Sequence, residues 1–373
     1  MSVAQNPEDN LTEKSRKYST IKYSLSASVL VYDFLLLAGF QASGLSGLLA
    51  KGVNLLLAGN YLVLPVYFFI IFFVYYILSF PLNFYQSFIL EHQFQLTHQS
   101  VRSWFFDQLK GGIIAYFISI ILLEVFYALI SLQPRNWWWI ISLFWIFFSL
   151  VLAKLAPIII IPLFFKYKKF SDQELRQRII RLSGKMKLKI LDVFEIDLSR
   201  KTEKGNAALV GFGSTRRVIL GDTLRGKYAP EEIEVILAHE FAHQKMQHLL
   251  KLVLSSAVTT GLFVYAIYKT SPQALGFFGL DSLNDISALP LIFIYLLLSG
   301  VILRPWENFL SRKFEFEADR MAITITGLKN AFISTMDKLF AQNLADRNPH
   351  PLVKFFFFDH PPIDERIKLA RSL

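Results

Sequence analysis

The chain contains no cysteine, which excludes disulfides and thiolate-held metals, so a transition-metal site here must be built from histidine and carboxylate. Charge is also scarce. Only 18% of the 373 residues are Asp, Glu, Lys or Arg while 53% are hydrophobic, a balance that excludes an ordinary soluble domain of this length. Acids are the minority among those charges, 29 against 39 bases, and the net charge is +10. In a soluble chain that excess would suggest nucleic acid. Here the bases flank apolar runs, where they act as topology signals, and no nucleic-acid partner is expected. Residues 1–17 lack the charged-then-apolar order of a secretory signal, since Glu8, Asp9 and Glu13 precede Lys14, Arg16 and Lys17. The first apolar span is therefore expected to stay in the membrane. Repeats and low-complexity segments are absent as well.

What is present is a series of apolar stretches, each near the length of about 20 residues that a helix needs to cross a bilayer. They lie at 23–42, 61–84, 112–132, 138–165, 251–269 and 287–305, giving an α-helical polytopic membrane protein with six spans. The weaker run 45–59 contains Lys51 and Asn54 and reads as an interfacial segment. Six crossings put both ends, the loop 85–111, the insert 166–250 and the tail from 306 on one side. The opposite loops hold only Lys51, Arg135 and Lys269 of the 39 bases, so the charged side is expected to be cytoplasmic. Two charges fall within spans, Glu124 and Lys154. The short connection 133–137 makes their helices antiparallel neighbours at about the same depth, roughly 18 Å, and an ion pair is expected.

The insert 166–250 reads as a small α+β unit. Ser171-Asp-Gln-Glu174 has the form of a capping box starting a helix through Leu182, and 190–197, 206–212 and 216–220 are β-rich, the last two joined at Gly213-Ser214-Thr215 as a hairpin. Pro230, Glu231 and Glu232 then begin a helix that carries His239-Glu-Phe-Ala-His243 and is expected to run on as the fifth span. On a helix, His239 and His243 stand one turn apart on one face and can reach one zinc ion, with Glu240 placed to take a proton from activated water. Such a site needs a third protein ligand. After the sixth span comes Ser311-Arg-Lys-Phe-Glu315-Phe-Glu317-Ala-Asp319, returned by a helical hairpin toward the two histidines.

These motifs resemble the integral-membrane zinc metalloproteases that include the type I CAAX prenyl endopeptidases and the bacterial heat-shock membrane proteases. The likeness rests on His239-Glu-Phe-Ala-His243, Glu315-Phe-Glu-Ala-Asp319, Asn206-Ala207 before Arg217-Val-Ile-Leu220 and Asp222-Thr-Leu224, and His360-Pro-Pro362 with Arg366. Glu91-His-Gln-Phe94 with Phe105, Phe106 and Asp107 is similar to the prenyl endopeptidase branch. The chain departs from the family in Ala242, where glycine is usual, and in starting one span later than the seven-span members.

The resemblance implies a zincin-type site with His239, His243 and Glu315 as metal ligands, Glu240 as general base and Asp319 orienting a histidine. It also implies Asn206 and Ala207 on a substrate-pairing edge strand, and His360 and Arg366 near the oxyanion or substrate carboxylate. Glu317 is expected to point away from both Glu315 and Asp319. His248, five residues beyond His243, turns off the ligand face and reads as an interfacial or supporting histidine. His92, His98 and His350 read as surface or packing residues.

The domain division that follows is a four-span membrane region, 1–165, and a zinc metallopeptidase region, 166–373, containing the last two spans. The function expected is a zinc endopeptidase of the CAAX type, cutting peptides or proteins at the bilayer surface, with a prenylated C-terminus as one substrate. Quality-control proteolysis without prenyl specificity is the alternative, and a transporter or scaffold with an inert metal site is the reading from another class. Its place would be a bacterial inner membrane or the endoplasmic reticulum, catalytic side to the cytoplasm.

Overall fold

A computed structural model describes residues 7–211 and 216–373. Helix α1 is Pro7–Ala42, and Gly44, with a φ of +74°, turns the chain into the short apolar α2, Leu45–Leu56. Next, α3 (Val63–Phe84) passes through a π turn at Tyr85–Ile89 into α4 (Leu90–Gln93). Helix α5 is Val101–Leu132, and α6 (Trp137–Leu155) passes through a second π turn, Ala156–Ile160, into α7 (Ile161–Phe164). The insert follows as β1 (Tyr167–Lys169), α8 (Gln173–Lys185), β2 (Asp192–Ile196), β3 (Ala207–Val210), β4 (Arg217–Gly221) and α9 (Pro230–Lys245). Two long helices, α10 (His248–Phe277) and α11 (Leu289–Thr326), lead to α12 (Lys329–Asn343), α13 (Pro351–Phe357) and α14 (Ile363–Ser372).

Among the described residues, six helical stretches are long and apolar enough to cross a membrane: Asn10–Ala42, Val63–Gln93, Val101–Leu132, Trp137–Phe164, His248–Phe277 and Ile286–Thr326. Helix α2, with 12 residues, reaches about 18 Å and is too short to cross. Packing runs in a closed ring, since α1 touches α2, α2 touches α3, and the contacts continue through α5, α6, α10 and α11 back to α1. Far from the insert, Ser46 ties the ring together, its Oγ lying 2.6 Å from the Tyr67 hydroxyl and donating to the Ser287 carbonyl at 2.6 Å.

In the insert the four strands lie in the order β1-β2-β4-β3, with β2 and β4 parallel and the outer pairs antiparallel, which leaves β3 as an edge. One face of the sheet packs on α8 and α9 through Val193, Val218, Leu220, Leu182, Leu237 and Phe241. The residues that bring α9 against α11 are small. Ala238, Ala242, Ala318 and Ala322 are fully buried one turn apart on the two helices, and side chains ending at Cβ let helix axes approach closely. The alanine at 242 thus serves helix packing, beside the ligand it precedes.

Four expectations need correction. The cap of α8 is Asp172, whose Oδ1 accepts from the Leu175 N–H at 3.0 Å, while the Ser171 hydroxyl instead accepts from Arg225 at 2.7 Å. The helix bearing the histidine motif does not continue as the fifth span, because Gln247 adopts a left-handed φ of +57° and separates α9 from α10. No ion pair joins Glu124 and Lys154 among the described residues. Glu124 is exposed on α5, and Lys154 lines a cleft with Tyr167 and Phe194 at the insert, because the rotations of the two helices turn the head groups apart. A fourth strand, β1, was not foreseen, being only three residues long. The hairpin turn at Gly213-Ser214-Thr215 lies outside the described residues.

Candidate active site

Helix α9 is started by Pro230 at its first turn and by Glu232, whose Oε2 accepts from the Ala229 N–H at 2.7 Å. That start fixes the phase that turns His239 and His243 toward α11. Across the alanine contact stands Glu315. His239 Nε2 lies 3.2 Å from Glu315 Oε2, His243 Nε2 lies 3.2 Å from Glu315 Oε1, and the two imidazole Nε2 atoms are 3.0 Å apart. One ligand atom from each residue falls within 4.8 Å of the others. The donor set suits a metal ion, since Glu315 Oε2 is buried without a hydrogen-bond partner of its own and two nitrogens and a carboxylate leave one tetrahedral position free.

Behind this set, His239 Nδ1 is 2.8 Å from Asp319 Oδ1, which fixes the ring and its tautomer. Asp319 is fully buried and held by Arg366, Nε to Oδ2 at 2.8 Å and Nη2 to Oδ1 at 2.6 Å. Burial alone would depress the His239 imidazolium, but the hydrogen bonds to Asp319 and Glu315 outweigh it and lift its pKa to about 10. Burial pushes the Glu240 carboxyl up, against the pull of the two nearby imidazoles. A raised carboxyl suits a group that must take and return a proton near neutral pH.

The chain returns to the site through α13. Asn308 of α11 donates to the Phe356 carbonyl at 2.9 Å and Arg312 to the Lys354 carbonyl at 3.1 Å, so two α11 side chains hold the last turn of α13. The next residues are Asp359 and His360. His360 Nε2 lies 3.4 Å from Glu315 Oε1, Nδ1 lies 2.9 Å from Asp359 Oδ1, and the Asp359 bond raises the imidazole pKa above its ordinary value.

His239, Glu240, His360, Arg366, Asn206 and Ala207 border one cavity of about 430 Å³, whose far wall is apolar, with Phe332 and Met336. Asn206 precedes the edge strand β3, and its carbonyl accepts from the Gly221 N–H at 2.9 Å. Alternation along an antiparallel pair then turns the backbone groups of Ala207 away from β4, to the open edge. Gly221 is required at this approach, because a Cβ there would lie 2.9 Å from the Asn206 carbonyl oxygen.

Of the site residues expected from the sequence, Asn206, Ala207, His239, Glu240, His360 and Arg366 line this cavity, and His243, Glu315 and Asp319 lie against His239. Arg366, expected near the oxyanion or the substrate carboxylate, borders the cavity and also commits two of its donors to Asp319. Sequence reasoning missed the contacts of His248, which depend on the break at Gln247, and the Asp359 carboxylate beside His360, for which adjacency in the chain was the available signal.

Comparison with known proteins agrees with this architecture. The description "CAAX prenyl protease N-terminal, five membrane helices" matches residues 2–166, which here hold four crossing helices and the shorter α2, and "Peptidase family M48" matches residues 169–373. An uncharacterized metalloprotease of Bacillus subtilis, YhfN, is 30% identical over 283 residues, covering 75% of this chain and 66% of that protein. CAAX prenyl protease 1 of Saccharomyces cerevisiae is 28% identical over 305 residues, 77% of this chain and 67% of that one. The chain thus spans about two thirds of the length of these relatives. The crystal structure of S. mikatae Ste24p superposes with a TM-score of 0.85 at 23% identity, covering 97% of this chain and 89% of that one, a likeness of fold.

Proposed function

Because this chain belongs to peptidase family M48 and is a multi-pass membrane metallopeptidase, we propose that it hydrolyses peptide bonds with zinc held by His239, His243 and Glu315. The observation that carries this reading is the convergence of three buried donors, an adjacent Glu240 and an open strand edge on one cavity. When bound, zinc supplies the Lewis acidity that activates water and polarises a carbonyl. Glu240 takes the proton from the attacking water and passes it to the leaving amine. The Ala207 backbone aligns an extended peptide by main-chain pairing, with Asn206 beside it, so affinity depends little on sequence. His360, on the cavity rim with its charged form favoured by the Asp359 bond, donates to the developing oxyanion.

The substrate we favour is a prenylated C-terminus from which the last three residues are removed. It is favoured over general proteolysis because the whole membrane region, and not the peptidase region alone, matches the prenyl protease description. The catalytic side would face the cytoplasm, where the bases of the chain concentrate.

Metal analysis of the purified protein and cleavage assays on a farnesylated peptide and on casein, each with and without a chelator, test this reading. One zinc per chain and chelator-sensitive cleavage of the farnesyl peptide are expected. Cleavage of casein alone would transfer the function to quality control, and bound zinc with neither activity would reduce the protein to a metal-binding scaffold.

A further inference from the structure

His239 and His243 are oriented by different means. For His239 it is the direct Nδ1 contact with Asp319. For His243, among the described residues, no carboxylate is in reach of Nδ1. Its Nδ1 lies 3.0 Å from Nδ1 of His248, and Nε2 of His248 lies 3.2 Å from Glu317 Oε2. His248 is 1% exposed, and its ring stacks on Phe314 with centroids 4.6 Å apart and planes 11° from parallel. On a continuous helix five residues turn about 140° past a full circle, which would carry His248 away from His243. The left-handed Gln247 reverses that rotation.

Resting on the reading that His243 is a metal ligand, we propose that His248 and Glu317 form a two-residue relay that positions His243, making both of them positioning residues for the site. The hydrogen positions close in one way. With Nε2 of His243 facing the donor set, its Nδ1 carries the proton and donates to Nδ1 of His248. That leaves the His248 proton on Nε2, donating to Glu317. Each nitrogen is used once and no atom of the buried imidazole is left over. Glu317 then acts without touching the metal, through His248 and the tautomer it enforces, and the Phe314 face fixes the plane of the ring.

The test is metal affinity by chelator competition on the full chain in detergent, using zinc and then cobalt(II) for its visible absorption. His248→Ala and Glu317→Leu should each weaken affinity roughly 10- to 100-fold and change the cobalt spectrum, as loss of an outer partner of a ligating histidine does. Glu317→Gln should recover most of the affinity, because its amide oxygen accepts the same hydrogen bond. The double variant His248→Ala/Glu317→Leu should be no weaker than His248→Ala alone, since Glu317 works only through His248. If His248→Ala does not fold, the Glu317 pair decides, that side chain being partly exposed. Unchanged affinity in folded His248→Ala or in Glu317→Leu, or additive losses, overturns the relay. An unaltered protein that binds no zinc would overturn the metal site itself, a different result.

Discussion

Arg366 and Asp319 share two hydrogen bonds in the interior, and the Oδ1 that takes Nη2 at 2.6 Å also faces His239 Nδ1 at 2.8 Å. Asp319 is therefore a buried carboxylate whose charge is balanced by Arg366. Removing Arg366 leaves it uncompensated. Arg366→Met should cost about 3–5 kcal/mol of stability, read by thermal unfolding of the metal-free protein. A raised KM with an unchanged melting temperature would instead return Arg366 to the substrate.

Glu240 lies on the cavity wall outside the group formed by His239, His243 and Glu315, so Glu240→Gln should keep its metal and lose about 10²- to 10⁴-fold in kcat. Metal analysis beside turnover checks this. Loss of metal as complete as in His239→Ala would make Glu240 a ligand.

Gly221 and Asn206 offer a test of the strand edge away from the metal. Gly221→Ala places a methyl against the Asn206 carbonyl and should displace the start of β3. The expected outcome is a several-fold rise in KM for peptides with metal content intact, and Asn206→Ala should move KM the same way. Normal kinetics in both variants would remove the edge from substrate binding.

Much of this site was legible because its chemistry is local. Two histidines at a four-residue spacing declare a face once the segment is helical, and Pro230 with Glu232 declared the helix. Glu315 and Asp319 carried the same spacing on the partner helix. What stayed hidden depends on single backbone angles and on rotation. The left-handed Gln247 has no signature in the residue type, so the neighbours of His248 were out of sight, and the rotation that parts Glu124 from Lys154 is set by packing around the ring. The partner of Arg366 was hidden for a similar reason. A motif near the end of a chain says that an arginine is close to a site, but not which carboxylate it has already paired with.

Glu232 gives a stability test with a defined sign. Burial pushes its carboxyl up, but Lys338, Ser334 and the Ala229 N–H outweigh that and hold it below the ordinary value of 4.5. A carboxyl lowered by folding contributes stability above its unfolded value, and that contribution is lost as pH falls through the folded value. Glu232→Gln should therefore be less stable by about 1–2 kcal/mol at neutral pH, discounted for the exposure of Lys338, with the gap closing in acid below the carboxylate range. Thermal unfolding across pH checks it. A gap that widens in acid would show that the charge at 232 opposes folding.

For Glu124 and Lys154, whose head groups make no ion pair, the effects of Glu124→Gln and Lys154→Met on melting temperature should add. A coupling above about 0.5 kcal/mol in the double-mutant cycle would show that the two groups meet.

The break at Gln247 also divides the mechanical load on the site. The imidazole pair rides on α9, and α10 starts beyond the left-handed Gln247 with His248, so α10 meets the pair at the single contact of His248 with His243. Glu315 has no such joint. It sits on α11, a helix of 38 residues spanning about 57 Å, with its first half apolar and Pro305 in its interior. A shift of α11 would carry Glu315 directly, whereas a shift of α10 would pass through the break at Gln247 and the His248 contact. Metal retention is therefore expected to answer more directly to the lipid around α11 than to the lipid around α10.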